Sequence, residues 1–249
     1  MKTIVDRIDA VNQCALRYFR KKLRSSSRAQ DYLYSRIRPE TARKFGVGYA
    51  PKSGLISYLN KQDLDDRDVI LSGLVHMDQD QTGSEVFSNR VMFPIVHAGK
   101  LLGFGGRTLS TKRGVSKYIN TRKTPVYSKR DILYGLHNAR RGIDRLGYAV
   151  LVEGYFDVIV PWEAGVINIV APCGTAFTPQ QVQLLARYTE DVYTFFDGDA
   201  AGRKSATQAA VILDEADMYA GNIRLPAGLD PAEFIAKYGR KGLKALRVT

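Results

Sequence analysis

Cysteine is nearly absent from this chain: Cys14 and Cys173 are the only two, and they lie far apart. That scarcity excludes a disulfide framework and a cysteine-built zinc ribbon within the chain, so no zinc is expected here. Long apolar runs are missing too. None approaches the ~20 residues that cross a bilayer, and the opening "MKTIVDRIDAVNQ" has no signal-peptide core. A cytoplasmic protein with no membrane partner is expected. The histidines His76, His97 and His137 show no ligand spacing and read as structural.

Acidic residues are scarce in the first part of the chain. Met1 to Arg145 carries 28 Lys+Arg against 13 Asp+Glu, whereas Leu146 to Thr249 carries 9 against 12. A basic front and a mildly acidic back predict a phosphate-binding surface and a separate carboxylate site. Two domains follow, 1–145 and 146–249.

In the front half, residues 8–23 space their apolar side chains as a helix, and "SSSRAQDYLYSR" supplies a break and a second helix start. "RVMFPIVHAGKLLGFGGRTL" predicts two strands around an Ala-Gly turn. Gly103, Gly105 and Gly106 there open the second strand to close approach. "STKRGVSKYINTRKTPVYSKRD" reads as basic loop with short strands. From Leu146 apolar runs alternate with helices. "YAVLVEG", "VINIVAP", "DVYTFFD" and "NIRLPAG" are expected strands, and "YFDVIVPWEAG", "TPQQVQLLARY", "AAGRKSATQAAVILDEA" and "PAEFIAKYG" expected helices. The predicted fold is α/β: a parallel sheet flanked by helices, preceded by a basic mixed α/β subdomain.

Ligand sites in such sheets form beyond the carboxyl ends of the strands. Glu153, Asp197, Asp199 and Asp230 are expected on that rim. Converging carboxylates repel one another, and hard oxygen ligands suit Mg²⁺. Asp199 and Asp230 have a second reading as helix caps; Glu153 does not, because glutamate caps poorly. Asp157 is expected to share a face with Glu153, as a supporting ligand or a solvated carboxylate. Arg203 and Lys204 sit in a first helical turn, where positive charge is unfavourable. Anchoring phosphate or neutralising the rim would explain them.

The set "LLVEGYFDVI", "PCGTAFT", "TFFDGDAAGRKSA" and "GLDPAEF" resembles the Toprim domain shared by bacterial-type primases, topoisomerases and some nucleases. "AQDYLYSRIRPETARKFGVGYAP", "RVMFPIVHAGKLLGFGGRTL" and "SKYINTRKTPVYSKRDILYGLHNAR" are similar to the segments that precede it in the bacterial replicative primase family. The resemblance implies templated RNA primer synthesis from NTPs on single-stranded DNA, with Mg²⁺ or Mn²⁺ as cofactor. It maps the catalytic residues to Glu153, Asp197 and Asp199, and the metal ligands to these with Asp157 and Asp230. Nucleotide or template contacts map to Arg90, Arg107, Lys117, Tyr118, Asn120 and Lys129, joined by Arg203 and Lys204. No Gly-Lys-Ser/Thr follows "GFGG", so an ATP-driven motor is not implied.

Three departures qualify the mapping. Ala232 stands where the family usually has a carboxylate, with Glu233 next. The family's zinc-binding module and its C-terminal helical part are expected to be missing, leaving a fragment or a compact mobile-element form. A separate zinc-binding module and a replicative helicase are the implied partners. A Toprim nuclease and a non-catalytic single-strand-binding module are the alternatives.

Overall fold

The structure is a computed structural model that describes residues 2–78, 83–174 and 176–249. It divides into two compact units, 1–128 and 129–249.

The first unit opens with α1 (Ile4–Arg24). Thr3 and Asp6 form a capping box at its start, and basic residues crowd its last turn. After it come α2 (Ser27–Tyr34), α3 (Pro39–Lys44), β1 (Gly48–Ala50), α4 (Leu55–Leu59), α5 (Asp66–Leu71) and the pair β2 (Val75–Met77) and β3 (Gly83–Glu85). The long strands β4 (Arg90–His97) and β5 (Lys100–Thr108) and the short β6 (Tyr118–Asn120) complete it. The sheet order is β1-β4-β5-β6, antiparallel throughout. The expected Ala-Gly turn is present, with Ala98 and Gly99 both at positive φ (47° and 78°), as a two-residue hairpin needs. α1 lays Val11, Ala15, Tyr18 and Phe19 on this sheet, and Phe19 meets Phe104 edge-on at 5.3 Å. Full burial of each such side chain stabilises the unit by about 1.5–3 kcal/mol.

In the second unit β7 (Leu133–Tyr134) and α6 (Leu136–Leu146) come first, followed by β8 (Tyr148–Leu151), α7 (Tyr155–Glu163) and β9 (Ile169–Pro172). Then come α8 (Pro179–Leu185), β10 (Asp191–Thr194), α9 (Ala200–Asp214), β11 (Tyr219–Asn222) and α10 (Pro231–Gly242). Among the described residues the sheet runs β11-β10-β8-β9-β7. Its β8, β9, β10 and β11 are parallel and β7 is an antiparallel edge. The expected division at 145/146 and the contact boundary at 128/129 differ by β7 and α6. Both belong with the second sheet, since β7 pairs with β9 and the buried Ala139 and Ile143 of α6 join its core.

The expected strand "NIRLPAG" is displaced. The ladder uses Tyr219–Asn222, and residues 225–230 are irregular. Pro226 lacks the amide a ladder needs, whereas Gly221 lets the Tyr193 ring of β10 lie against the β11 backbone. The expected capping box of α8 is formed: Thr178 Oγ1 accepts from the Gln181 amide, and Gln181 Oε1 accepts from the Thr178 amide. The Gln181 side-chain nitrogen also donates to the carbonyls of Lys129 (3.0 Å) and Ile132 (2.9 Å). No helix among the described residues is long and apolar enough to cross a membrane.

Candidate active site

Chain direction places the candidate site. From β8 the chain crosses to β9 on one side; from β10 it crosses to β11 on the other. β8 and β10 are neighbours, with Leu151 opposite Thr194, so the strand order reverses between their carboxyl ends. That reversal opens the crevice in which α/β sheets place ligands. Glu153 leaves β8 into it, and Asp197 and Asp199 leave β10.

Glu153 is half-buried just ahead of α7, and it accepts a hydrogen bond from the Asp197 amide. Its Oε1 is buried and has no hydrogen-bond partner. Burial, then the charges of Asp197 and Asp199, push its carboxyl above the ordinary range. Asp157 lies in the first turn of α7 rather than on a shared helical face with Glu153. It points toward the start of α10, accepting from the Ala232 amide. Burial first, then Asp230 and Asp197, raise it to about 7. Gly154 makes room for it, since a Cβ there would come within 2.8 Å of Asp157 Oδ2.

The capping reading of Asp199 and Asp230 is realised in the structure. Asp199 Oδ1 accepts from the Gly202 amide at 2.8 Å, and Asp230 Oδ1 accepts from the Glu233 amide at 2.6 Å. Each cap occupies one carboxylate oxygen. Glu233 turns back to accept from the Asp230 amide at 3.2 Å, so it closes a capping box instead of replacing the carboxylate missing at Ala232.

A tight cage is not formed: among the described residues no three His, Cys, Asp or Glu side chains are gathered to hold a metal. Glu153 feels the charges of Asp197 and Asp199, and Asp157 feels those of Asp230, Asp197 and Glu153. Mg²⁺ keeps several waters and takes one or two protein carboxylates with phosphate oxygens. An orphaned oxygen on Glu153 ringed by repelling aspartates fits such a hydrated ion. A cavity of about 770 Å³ opens beside Glu153, walled by Phe177, Phe196, Ala209 and Ile212.

The crevice depends on Gly202. A Cβ there would collide with the backbone of Asp197. Gly202→Ala is therefore expected to cost roughly 1–3 kcal/mol and to lower Tm by several degrees in a thermal melt followed by circular dichroism. A Tm within about 1 °C of the parent would contradict this packing.

The basic candidates divide. In the second unit, Arg203 Nη1 donates to the Gly198 carbonyl at 3.2 Å, bracing the loop between the two aspartates. Lys204 and Lys129 are exposed. In the first unit, Arg90 is buried and donates to the Gly106 and Ser116 carbonyls, and desolvation lowers its pKa. Arg107 is partly exposed and lies over the Tyr118 ring at 5.5 Å. Lys117 is exposed, and Asn120 is half-buried in β6. The glycines of "GFGG" admit protein: Gly103 faces Thr121, and Gly106 faces Phe87 and Arg90. Sequence reasoning passed over Arg36, whose guanidinium lies 4.0 Å from the Tyr32 ring centre; the i,i+4 aromatic–arginine spacing was the available signal. Thr175 of the "PCGTAFT" stretch lies outside the described residues.

Residues 18–140 match the family described as the DNA primase catalytic core, N-terminal domain, and residues 150–235 match a Toprim-like family. A DNA primase of Aquifex aeolicus is 38% identical over 92% of this chain and 46% of its own length. The solved zinc-binding and RNA polymerase domains of the Aquifex aeolicus primase superpose with a TM-score of 0.92 at 34% identity, covering 100% of this chain and 63% of that one. The RNA polymerase domain of Mycobacterium tuberculosis primase DnaG gives 0.89 at 32% identity, covering 98% and 84%. A DnaG primase catalytic domain bound to single-stranded DNA gives 0.85 at 28% identity, covering 96% and 77%. The chain spans less than half the length of the curated relatives it matches.

Proposed function

Because this chain belongs to the bacterial DNA primase catalytic-core family, we propose that it synthesises RNA primers on single-stranded DNA by nucleotidyl transfer. The observation that carries the reading is Glu153, with its partnerless buried oxygen, facing Asp197 and Asp199 across the β8–β10 crevice. A ribonucleotide 3′-hydroxyl attacks the α-phosphate of an incoming NTP. The new phosphodiester bond forms as the bond to pyrophosphate breaks, and the hydroxyl proton is lost. Glu153, raised by burial, is the acceptor suited to that proton.

Mg²⁺ or Mn²⁺ held by Glu153, Asp197 and Asp199, with Asp157 and Asp230 adjoining, would neutralise charge developing on the phosphates. Arg203 keeps Asp197 and Asp199 in place through the Gly198 carbonyl. Arg107, Lys117, Tyr118, Asn120 and Lys129 are assigned to phosphate and base contacts, and Lys204 to the pyrophosphate side. Arg90 acts from beneath, by fixing the strand that carries Arg107. The residues ahead of Lys129 serve as the template-binding part, and the Toprim part carries the chemistry. A zinc-binding module, of the kind named for the Aquifex protein, and a replicative helicase are the proposed partners.

Incubation with single-stranded DNA, labelled NTPs and Mg²⁺ should yield short RNAs on a denaturing gel, dependent on both template and metal. Template cutting without NTP incorporation would overturn primer synthesis in favour of a nuclease.

A further inference from the structure

The last turn of α2 carries Tyr32, and Arg36 follows four residues later. Two cations converge on the Tyr32 ring: the Arg36 guanidinium at 4.0 Å from its centre and that of Arg107, from β5, at 5.0 Å. Arg107 also lies 5.5 Å from the ring of Tyr118, its direct partner in the β5–β6 register. Hydrogen bonds from Nη1 to main-chain carbonyls hold both guanidiniums. Arg36 donates to the Tyr32 carbonyl at 2.8 Å, and Arg107 to the Thr108 carbonyl at 2.9 Å. All of these residues belong to the first unit.

Two guanidiniums drawn to one place repel each other. A neutral aromatic ring within reach of both offsets that repulsion, because its quadrupole attracts both charges. Burial keeps the Tyr32 phenol neutral, pushing its pKa up despite the two arginines. Each guanidinium presents a rigid fork of N–H donors matched to phosphate oxygens. A ring that gathers two such forks prepares a phosphate site before any phosphate arrives.

The geometry points to Tyr32 as a positioning residue that presents Arg36 and Arg107 together to phosphate oxygens of the single-stranded template. This inference rests on the proposed template-binding reading. The same oxygens occur in a nucleotide triphosphate, so two probes are needed: a fluorescein-labelled 16-nucleotide single-stranded DNA and a fluorescent GTP analogue, each titrated by anisotropy with the chain.

Tyr32→Leu should weaken strand binding about 3–10-fold and reduce the slope of log K against log salt by about 1. Tyr32→Phe, which keeps the ring, should stay within about twofold. Pentafluorophenylalanine at position 32 preserves the shape and reverses the ring quadrupole; it should weaken binding as leucine does, which a purely structural role would not produce. This non-natural substitution carries the test even if Tyr32→Leu fails to fold. Loss confined to the GTP probe would support the positioning role and assign the phosphate to the nucleotide. If Arg107→Ala weakens binding but neither ring change does, the positioning role is overturned. If Arg107→Ala itself leaves both probes unaffected, the template-binding reading fails instead.

Discussion

Glu153→Gln should reduce primer synthesis by at least about 10²–10³-fold, the usual cost of removing one preorganised electrostatic group from an active site. The amide keeps the volume of the carboxyl but brings no negative charge to a cation and cannot accept the 3′-hydroxyl proton. The fold should survive the change and gain from it. Glu153 is half-buried, its Oε1 lacks a partner, and Asp197 and Asp199 repel its charge. Removing that charge relieves the repulsion, so the metal-free Tm should hold or rise. The pair of measurements is a gel of RNA products and a thermal melt of the same preparation. Near-parental synthesis would sink the assignment of Glu153; lost synthesis together with a collapsed Tm would show a structural role instead.

Asp157→Asn should greatly reduce a pH dependence of stability that the parent shows without divalent ions. In the folded chain the Asp157 carboxyl is raised to about 7, from an ordinary value of 3.8. As pH rises from about 4 to 7, the unfolded chain ionises this group while the folded chain holds its proton. Stability is therefore highest below pH 4 for this group, falls through that window, and levels off above 7. The linkage amounts to roughly 2–4 kcal/mol, or about 5–10 °C in Tm for a chain of this length. Glu153 adds in the same direction. The expected result is a metal-free parent that melts several degrees higher at pH 5.5 than at pH 8, with the Asp157→Asn variant showing much less of this difference. Adding Mg²⁺ should raise Tm more at pH 8, where the carboxylates are ionised. Equal pH dependence in parent and variant would refute the cause assigned to Asp157.

Much of the second unit was legible because its signals are local. Apolar runs of strand length, the Thr178–Gln181 capping box and the Pro231 start after Asp230 each specify an element from a few adjacent residues. The places of Glu153, Asp197 and Asp199 just past β8 and β10 were legible through topology, whereas Asp230 lies well beyond β11 at the start of α10. What failed to show depends on contacts between distant residues. The fourth strand, expected at "NIRLPAG", is Tyr219–Asn222, where Gly221 lies against Tyr193. Gly103 and Gly106 of β5 read as openings to close approach, and what approaches them is Thr121, Phe87 and Arg90. Arg90 is mapped by the resemblance to a nucleotide or template contact, and its burial on two carbonyls depends on residues distant in sequence. Whether Asp199 and Asp230 cap or ligate had no answer in sequence, and each spends one oxygen on its helix.

The Gln181 amide has a consequence for the side chain of Lys129. Its two N–H groups clasp the carbonyls of Lys129 and Ile132 while its oxygen takes the Thr178 amide, and the Thr178 hydroxyl donates to the Arg130 carbonyl. The backbone from which the Lys129 side chain springs is thus riveted to the foot of α8. An exposed, flexible cation is given a fixed anchorage, so its reach is set by its own four methylenes and not by slack in the chain. A glutamate at 181 would offer no hydrogens to those carbonyls, and the mooring would come loose.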